Sequence, residues 1–122
     1  MAFEVRAERE RNRLHISLVG MASVDDVKQF ELDLQRAVDA LPAYRGPHQL
    51  RYDVSGAAIQ SQDVVQALRL LALASPRTSA FALVNGSALA GRQLRRIFSG
   101  IDVHTSADRD AAISWLDSQA RG

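Results

Sequence analysis

The side chains with reactive chemistry in this chain are three histidines, His15, His48 and His104, and a scatter of serines and carboxylates. A histidine metal site needs ligands that converge from close spacings, such as i and i+4 on one helix. Here His15 and His104 fall in strand-like stretches and His48 in a loop, with no carboxylate–histidine cluster at ligand spacing. No metal and no cofactor is expected. Serine chemistry needs an exposed, activated hydroxyl, and there is no Gly-x-Ser-x-Gly turn to present one. The chain has no cysteine, which excludes a thiolate nucleophile, a disulfide framework and a cysteine metal site. No acid, base and nucleophile converge, so the chain reads as no enzyme, with no catalytic residue.

Charge is arranged more tellingly than nucleophiles. The segment Gly86-Ser87-Ala88-Leu89-Ala90-Gly91-Arg92-Gln93 follows an apolar run and opens a helical one, as a phosphate-binding loop does. Arg92 and Gln93 stand where such a loop needs lysine and Ser/Thr. It therefore reads as a small-residue turn, whose helix amides give an anion a weak contact. Arg92, Arg95 and Arg96 recur at i, i+3 and i+4, a cationic stripe for a possible anion contact. No aromatic residues interleave with them, so nucleic acid is not an expected partner. An earlier helical stretch is acidic on balance, with Asp25, Asp26, Glu31, Asp33 and Asp39 against Lys28 and Arg36. Such asymmetry is most simply a solvated face, and alternatively a surface that orients a partner.

The elements that hold these residues follow from periodicity. Phe3, Val5 and Ala7 alternate with charge, Arg9 to Asn12 is a polar turn, and Leu14, Ile16 and Leu18 alternate again to Gly20. This reads as a hairpin. Ser23 caps a first helix, with Asp25 and Asp26 in its first turn. Val27, Phe30, Leu34, Ala37, Val38 and Leu41 lie on its inner face, and Pro42 and Gly46-Pro47 end it. Leu50, Tyr52 and Val54 mark a third strand and Ser55 to Gln60 a loop. A second helix starts near Ser61 with Val65, Leu68, Leu71 and Ala72 inward, and Pro76 bounds it. Phe81 to Val84 reads as a strand covered on both faces, and Asn85-Gly86 as a turn. A third helix over Ser87 to Ser99 turns Leu94, Ile97 and Phe98 inward and ends at Gly100. Ile101 to His104 reads as the last strand. Ser106 is placed as the cap of a final helix with Ala112, Trp115 and Leu116 inward.

The order β-β-α-β-α-β-α-β-α predicts an α/β fold, a mixed and mostly parallel sheet covered by helices. At 122 residues it is one domain over 1–122, with its core in 3–116 and a loose tail over 118–122. Hydrophobic residues at 47% and charged residues at 24% are the balance of an ordinary globular protein, not a disordered one. A net charge of +1 is far from the excess of a dedicated nucleic-acid binder. The longest uncharged stretch, Thr78 to Gly91, is too short and too polar to span a membrane. Charged residues crowd the first thirteen positions and no apolar segment of a secretory signal follows, so the expected location is cytoplasmic.

Four segments together carry a family resemblance: Leu14-x-Ile16-x-Leu18-x-Gly20, Tyr52-Asp53-Val54-Ser55-Gly56, Ile101-Asp102-Val103-His104 and Ala111-Ala112-Ile113-Ser114-Trp115-Leu116. By their order and spacing, over roughly Phe3 to Leu116, the chain resembles STAS domains, and within them the small stand-alone SpoIIAA-like proteins. The resemblance implies a STAS/SpoIIAA-like fold and a non-enzymatic regulatory interaction module, similar to anti-sigma-factor antagonists. It implies as partner an anti-sigma factor or a related regulator, with self-association possible. Antagonists of this family carry an Asp-Ser-Ser-Gly-like segment whose first serine is phosphorylated. The matching stretch here is Ser61-Gln62-Asp63, and Gln62, at the acceptor position, takes no phosphate. Ser61 stands one residue early as the possible phosphorylation site, or simply as a helix N-cap. The expected partner-binding residues are Ser55, Ser61, Gln62, Asp63 and Leu70, the last pointing away from its helix's inner face. The alternative is a carrier of a small apolar ligand or lipid, because the group is related in fold to lipid-binding domains. Alanines such as Ala57, Ala58, Ala88 and Ala90 either leave space for such a ligand or let the helices pack close to the sheet, the simpler reading.

Overall fold

The computed structural model describes residues 2–85 and 88–119. Strands β1 (Phe3–Glu8) and β2 (Arg13–Gly20) form the antiparallel hairpin; α1 (Val24–Asp39), β3 (Gln49–Ala57), α2 (Gln62–Ala74), β4 (Ala80–Val84), α3 (Ala88–Ile97), β5 (His104–Ser106) and α4 (Arg109–Gln119) follow. The sheet order is β1-β2-β3-β4-β5, and every pair after the hairpin is parallel. Parallel strands added in sequence by right-handed crossovers put their connecting helices on one face. That face holds α1, α2 and α3, whereas α4, which follows the last strand, packs on the other face against β4.

The larger core lies under α1–α3. Ile16, Leu18, Tyr52, Val54, Phe81 and Leu83 from the sheet meet Val27, Phe30, Val64, Leu68, Leu94 and Ile97 from the helices. The alternate residues of β4, Ala80, Ala82 and Val84, meet Ala112 and Leu116 of α4. Their small side chains let α4 approach closely, which is why the whole β4 run is apolar. The hairpin turn is a 3₁₀ turn over Arg9–Arg11 that ends on Asn12 at φ 50°, a left-handed conformation that asparagine tolerates. Ser23 and Asp26 form a reciprocal capping box at α1, with bonds of 3.0 and 2.9 Å. A cap of this kind contributes about 1 kcal/mol. Gly100, at φ +83°, ends the turn after α3 as its position predicts.

Several expectations are corrected. The last strand is His104–Ser106, not Ile101–His104, because Ile101 N–H is drawn back to the Phe98 carbonyl at 2.9 Å in the turn after α3. Ser106 is buried within β5 and caps nothing; Asp108 caps α4, accepting from the Ala111 N–H at 2.8 Å. Trp115 is only partly buried and stacks on the exposed His104, with ring centroids 4.2 Å apart. Val65, Leu71 and Ala72 pack against the core beside the buried Leu68 as expected, but the most buried valine of α2 is Val64, because α2 sits between α1 and α3 and turns its middle to the sheet. Strand β3 runs on to Ala57, which shortens the loop read over Ser55–Gln60. Helix α4 continues through Ser118 and Gln119, where a loose tail is expected, and residues 120–122 lie outside the described residues. The Asn85-Gly86 turn and Ser87 also fall partly outside them.

Candidate functional site

The turn 20–23 that ends β2 and the turn 58–61 that ends β3 lie side by side, because their strands are parallel neighbours in register through Gly20 and Ala57. Gly20 makes the first turn at φ +70°, a conformation costly for any residue with a Cβ. One side chain ties the two turns. Gln60, 3% exposed, accepts from Ala22 N–H at 2.8 Å and donates to the carbonyls of Gly20 at 2.9 Å and Ala58 at 2.7 Å. Its backbone is held in turn by Gln93 of α3, which accepts from Gln60 N–H and donates to Gln60 O, each at 2.7 Å. Two loops and a helix are thus fixed at one end of the sheet by five hydrogen bonds from two glutamines.

Both turns of this knot also expose large apolar side chains. Met21 is 65% exposed and Ile59 53% exposed, one in each turn; Val19 is exposed at the end of β2 and Leu89 one helical turn before Gln93. Large apolar side chains grouped on a rigid, hydrogen-bonded platform are what a protein partner covers. None of these four was singled out from sequence. Spread over a strand, two turns and a helix they share no periodicity, and the approach of the two turns needs the parallel pairing.

The residues expected at the site divide. Ser61 is the N-cap of α2, its hydroxyl accepting from Val64 N–H at 3.3 Å, and Gln62 and Asp63 are exposed on the first turn beside the knot. Ser55 is turned to the opposite face of the sheet from Val54, and its N–H and hydroxyl both donate to Asp53 Oδ1, at 2.9 and 2.6 Å. Leu70 lies two turns from Asp63 on the same outer face of α2, exposed together with Leu73. Arg92, Arg95 and Arg96 are exposed on α3 and form no ion pair among the described residues. Gln93, which the phosphate-loop comparison would place near an anion, is committed to Gln60.

Gly91 has a packing role instead. A Cβ there would strike the side-chain carboxamide of Asn85 at the end of β4. Glycine to alanine inside a helix normally gains stability. Gly91→Ala is expected to lose up to about 1 kcal/mol, because moving the end of the Asn85 side chain aside more than cancels the helix gain. Urea unfolding measures it, and a gain in stability would refute the close-packing explanation.

The face of the sheet opposite α1–α3 carries a second polar group. Arg51 Nε–H donates to His15 Nδ1 at 2.8 Å, which leaves Nε2–H of the neutral imidazole to donate to Glu8 Oε1, also at 2.8 Å. Burial pushes His15 below its ordinary 6.5, Glu8 pulls it up, and Arg51 and Arg6 push it further down. Burial also lowers His48 from 6.5. In both cases the unfolded chain takes up its proton at a higher pH than the folded one. Stability is therefore complete above 6.5 and falls as pH drops through 6.5 toward the folded values. Denaturation midpoints are expected to fall between pH 7.5 and 5 (roughly the window in which histidine charges), and the slope to flatten in His15→Gln. A midpoint that rises on acidification contradicts this arrangement. Among the described residues no group of three or more His, Asp or Glu could hold a metal ion, and no helix is long and apolar enough to cross a membrane.

Comparison with known proteins returns the fold. The chain is similar to the crystal structure of an uncharacterized protein of the DUF3478 family with a SpoIIAA-like fold from Shewanella loihica, at TM-score 0.73 and 17% identity over 94% of this chain and 93% of that one. It is also similar to an anti-sigma factor antagonist from Mycobacterium paratuberculosis, at TM-score 0.62 and 15% identity over 94% of each chain. No family model matches the sequence, and no curated protein matches it. The chain has the SpoIIAA-like fold that the sequence resemblance implied.

Proposed function

We propose that this chain is a non-enzymatic interaction module that docks a regulatory protein on the end of the sheet carrying the Gln60 knot. The observation that carries the reading is the group of exposed apolar side chains, Met21 and Ile59 above all, held on hydrogen-bonded turns beside Gln62 and Asp63. A rigid platform loses little entropy on binding, so its apolar contacts count nearly in full. The likeness to an anti-sigma factor antagonist supports a partner of the anti-sigma-factor class or a related regulator, in the cytoplasm. Control by phosphate at Gln62 is excluded by its chemistry. Ser61 spends its hydroxyl as an acceptor at the helix cap, so we read the docking as constitutive.

A two-hybrid screen against the anti-sigma factors and related regulators of the source organism, followed by affinity measurement on the purified pair, tests this. Met21→Asp combined with Ile59→Asp is expected to weaken binding at least tenfold (about 1.4 kcal/mol) with the melting temperature unchanged. Ser61→Ala is expected to leave affinity within about twofold while costing roughly 1 kcal/mol of stability through the lost cap. A partner indifferent to the double substitution would sink the docking site.

A further inference from the structure

At the other end of the sheet, α1, α2 and the turn after α3 line a cleft of about 620 Å³ over β2, β3 and β4, open to solvent on one side. That volume is in the range of small-molecule sites. Its walls are apolar, with Leu14 and Leu50 from the sheet, Leu34 and Val38 from α1, and Leu71 and Ala72 from α2. Two polar side chains reach it from β3 and the residue before it. Tyr52 is 6% exposed and His48 is 8% exposed, and both line the cavity. Tyr52 makes only ring contacts, edge-on to Phe30 and Phe98. Neither its hydroxyl nor the His48 imidazole bonds to another described residue, and both polar groups keep a little solvent-accessible area facing the cleft. Burial is the sole cause that lowers His48 and raises Tyr52, with no neighbouring charge or bond to offset it. Small-molecule sites are mostly apolar with a few polar groups that fix the ligand's orientation. Tyr52 and His48, on one stretch and free of protein bonds, supply such groups to an otherwise apolar cleft.

We propose that this cavity binds a small, uncharged, mainly aliphatic molecule whose hydroxyl or carbonyl oxygen pairs with Tyr52 and His48. The charge of the lining selects the head group. Glu31 and Asp102 bring two carboxylates against the single guanidinium of Arg77, which disfavours an anionic head. The apolar body lies along the leucines between α1 and α2. Residue 48 precedes β3 and Gln60 follows it, so the nine residues of that strand separate this site from the docking end. The two readings stand or fall separately.

The probes are 1-decanol and dodecanoate, each titrated into the intact protein and followed by amide resonances and melting temperature. Decanol is expected to raise the melting temperature saturably and to shift the resonances of Leu50, Tyr52 and Leu71. Dodecanoate is expected to bind at least fivefold more weakly. Tyr52→Phe combined with His48→Leu is expected to weaken decanol at least tenfold while leaving the unliganded protein as stable as before, since it removes only unpaired polar groups. Ala72→Trp, which fills the space, is expected to abolish binding. No saturable shift with either probe overturns the proposal, as does decanol binding that the double variant leaves unchanged. Tighter binding of dodecanoate than of decanol overturns the uncharged head group.

Discussion

Replacing Gln60 by alanine is expected to lower the stability of this protein by about 3 kcal/mol, a large share of what holds a domain of this size together. The side chain is buried and satisfies three main-chain groups on two turns: Ala22 N–H, Gly20 C=O and Ala58 C=O. Gly20 C=O retains the Ala58 N–H at 3.1 Å, so its loss is partial. Ala22 N–H, in a buried residue, has its acceptor in Gln60, and an orphaned buried donor costs about 1–3 kcal/mol by itself. Gln60→Glu is expected to be no better. It keeps the acceptor but loses both donors and buries a charge. Urea unfolding gives the loss, and hydrogen exchange at Ala22 N–H localises it. A loss below about 0.5 kcal/mol, the ordinary scale of a surface substitution, removes the knot as the organiser of this end. Because the two turns carry Met21 and Ile59, partner affinity is expected to fall with the same variant.

Arg13→Ala is expected to cost a similar amount, about 3 kcal/mol, and to loosen α4. Arg13 is 2% exposed. Its Nε donates to Gln49 Oε1 at 2.9 Å and its Nη2 to Asp117 Oδ1 at 2.7 Å, while Gln49 Nε2 donates to the Leu116 carbonyl at 2.8 Å. One arginine thus joins β2, β3 and the last helix. Truncation opens a cavity the size of its stem and strips partners from Gln49 and Asp117. Arg13→Met keeps most of the stem and is expected to lose about half as much, since a buried ion pair is a weak contributor once its volume is conserved. Asp117→Asn is expected to lose less than about 1 kcal/mol, because that carboxylate is substantially solvated and screened. Trp115, the single tryptophan, lies on α4 and reports the local effect by its fluorescence. An unchanged emission spectrum in Arg13→Ala would falsify the link between this arginine and the helix.

Much of the fold is legible because it is local. Alternation at Phe3, Val5 and Ala7 and at Leu50, Tyr52 and Val54 sets strands whose faces the structure keeps, and Ser23 and Ser61 cap the two helices that their local sequence predicts. The departures come where a partner element decides. Ser106 looks like a cap from its neighbours but is drawn into β5 by pairing with Val84, and Asp108 takes over the cap. Val65 and Val64 are indistinguishable by periodicity, and only the seat of α2 between α1 and α3 chooses Val64.

The candidate site divides in the same way. Ser61, Gln62 and Asp63 are visible in the sequence because a helix start has a local signature. The roles of Met21, Ile59, Gln60 and Gln93 are not. They come from three segments whose encounter is fixed by the parallel pairing of β2 with β3 and by the seat of α3. The cavity is still further from the sequence, since it is a space between α1 and α2 and no residue type encodes an absence of contact. What the sequence by itself determined is the order of elements and most of their inner faces. Those rest on covalent neighbours and helical or strand period. What the tertiary structure alone decided is which exposed apolar residues stand on neighbouring turns and which polar side chains face the cleft. Both depend on distances between segments far apart in the chain, and those distances exist only once the sheet has formed.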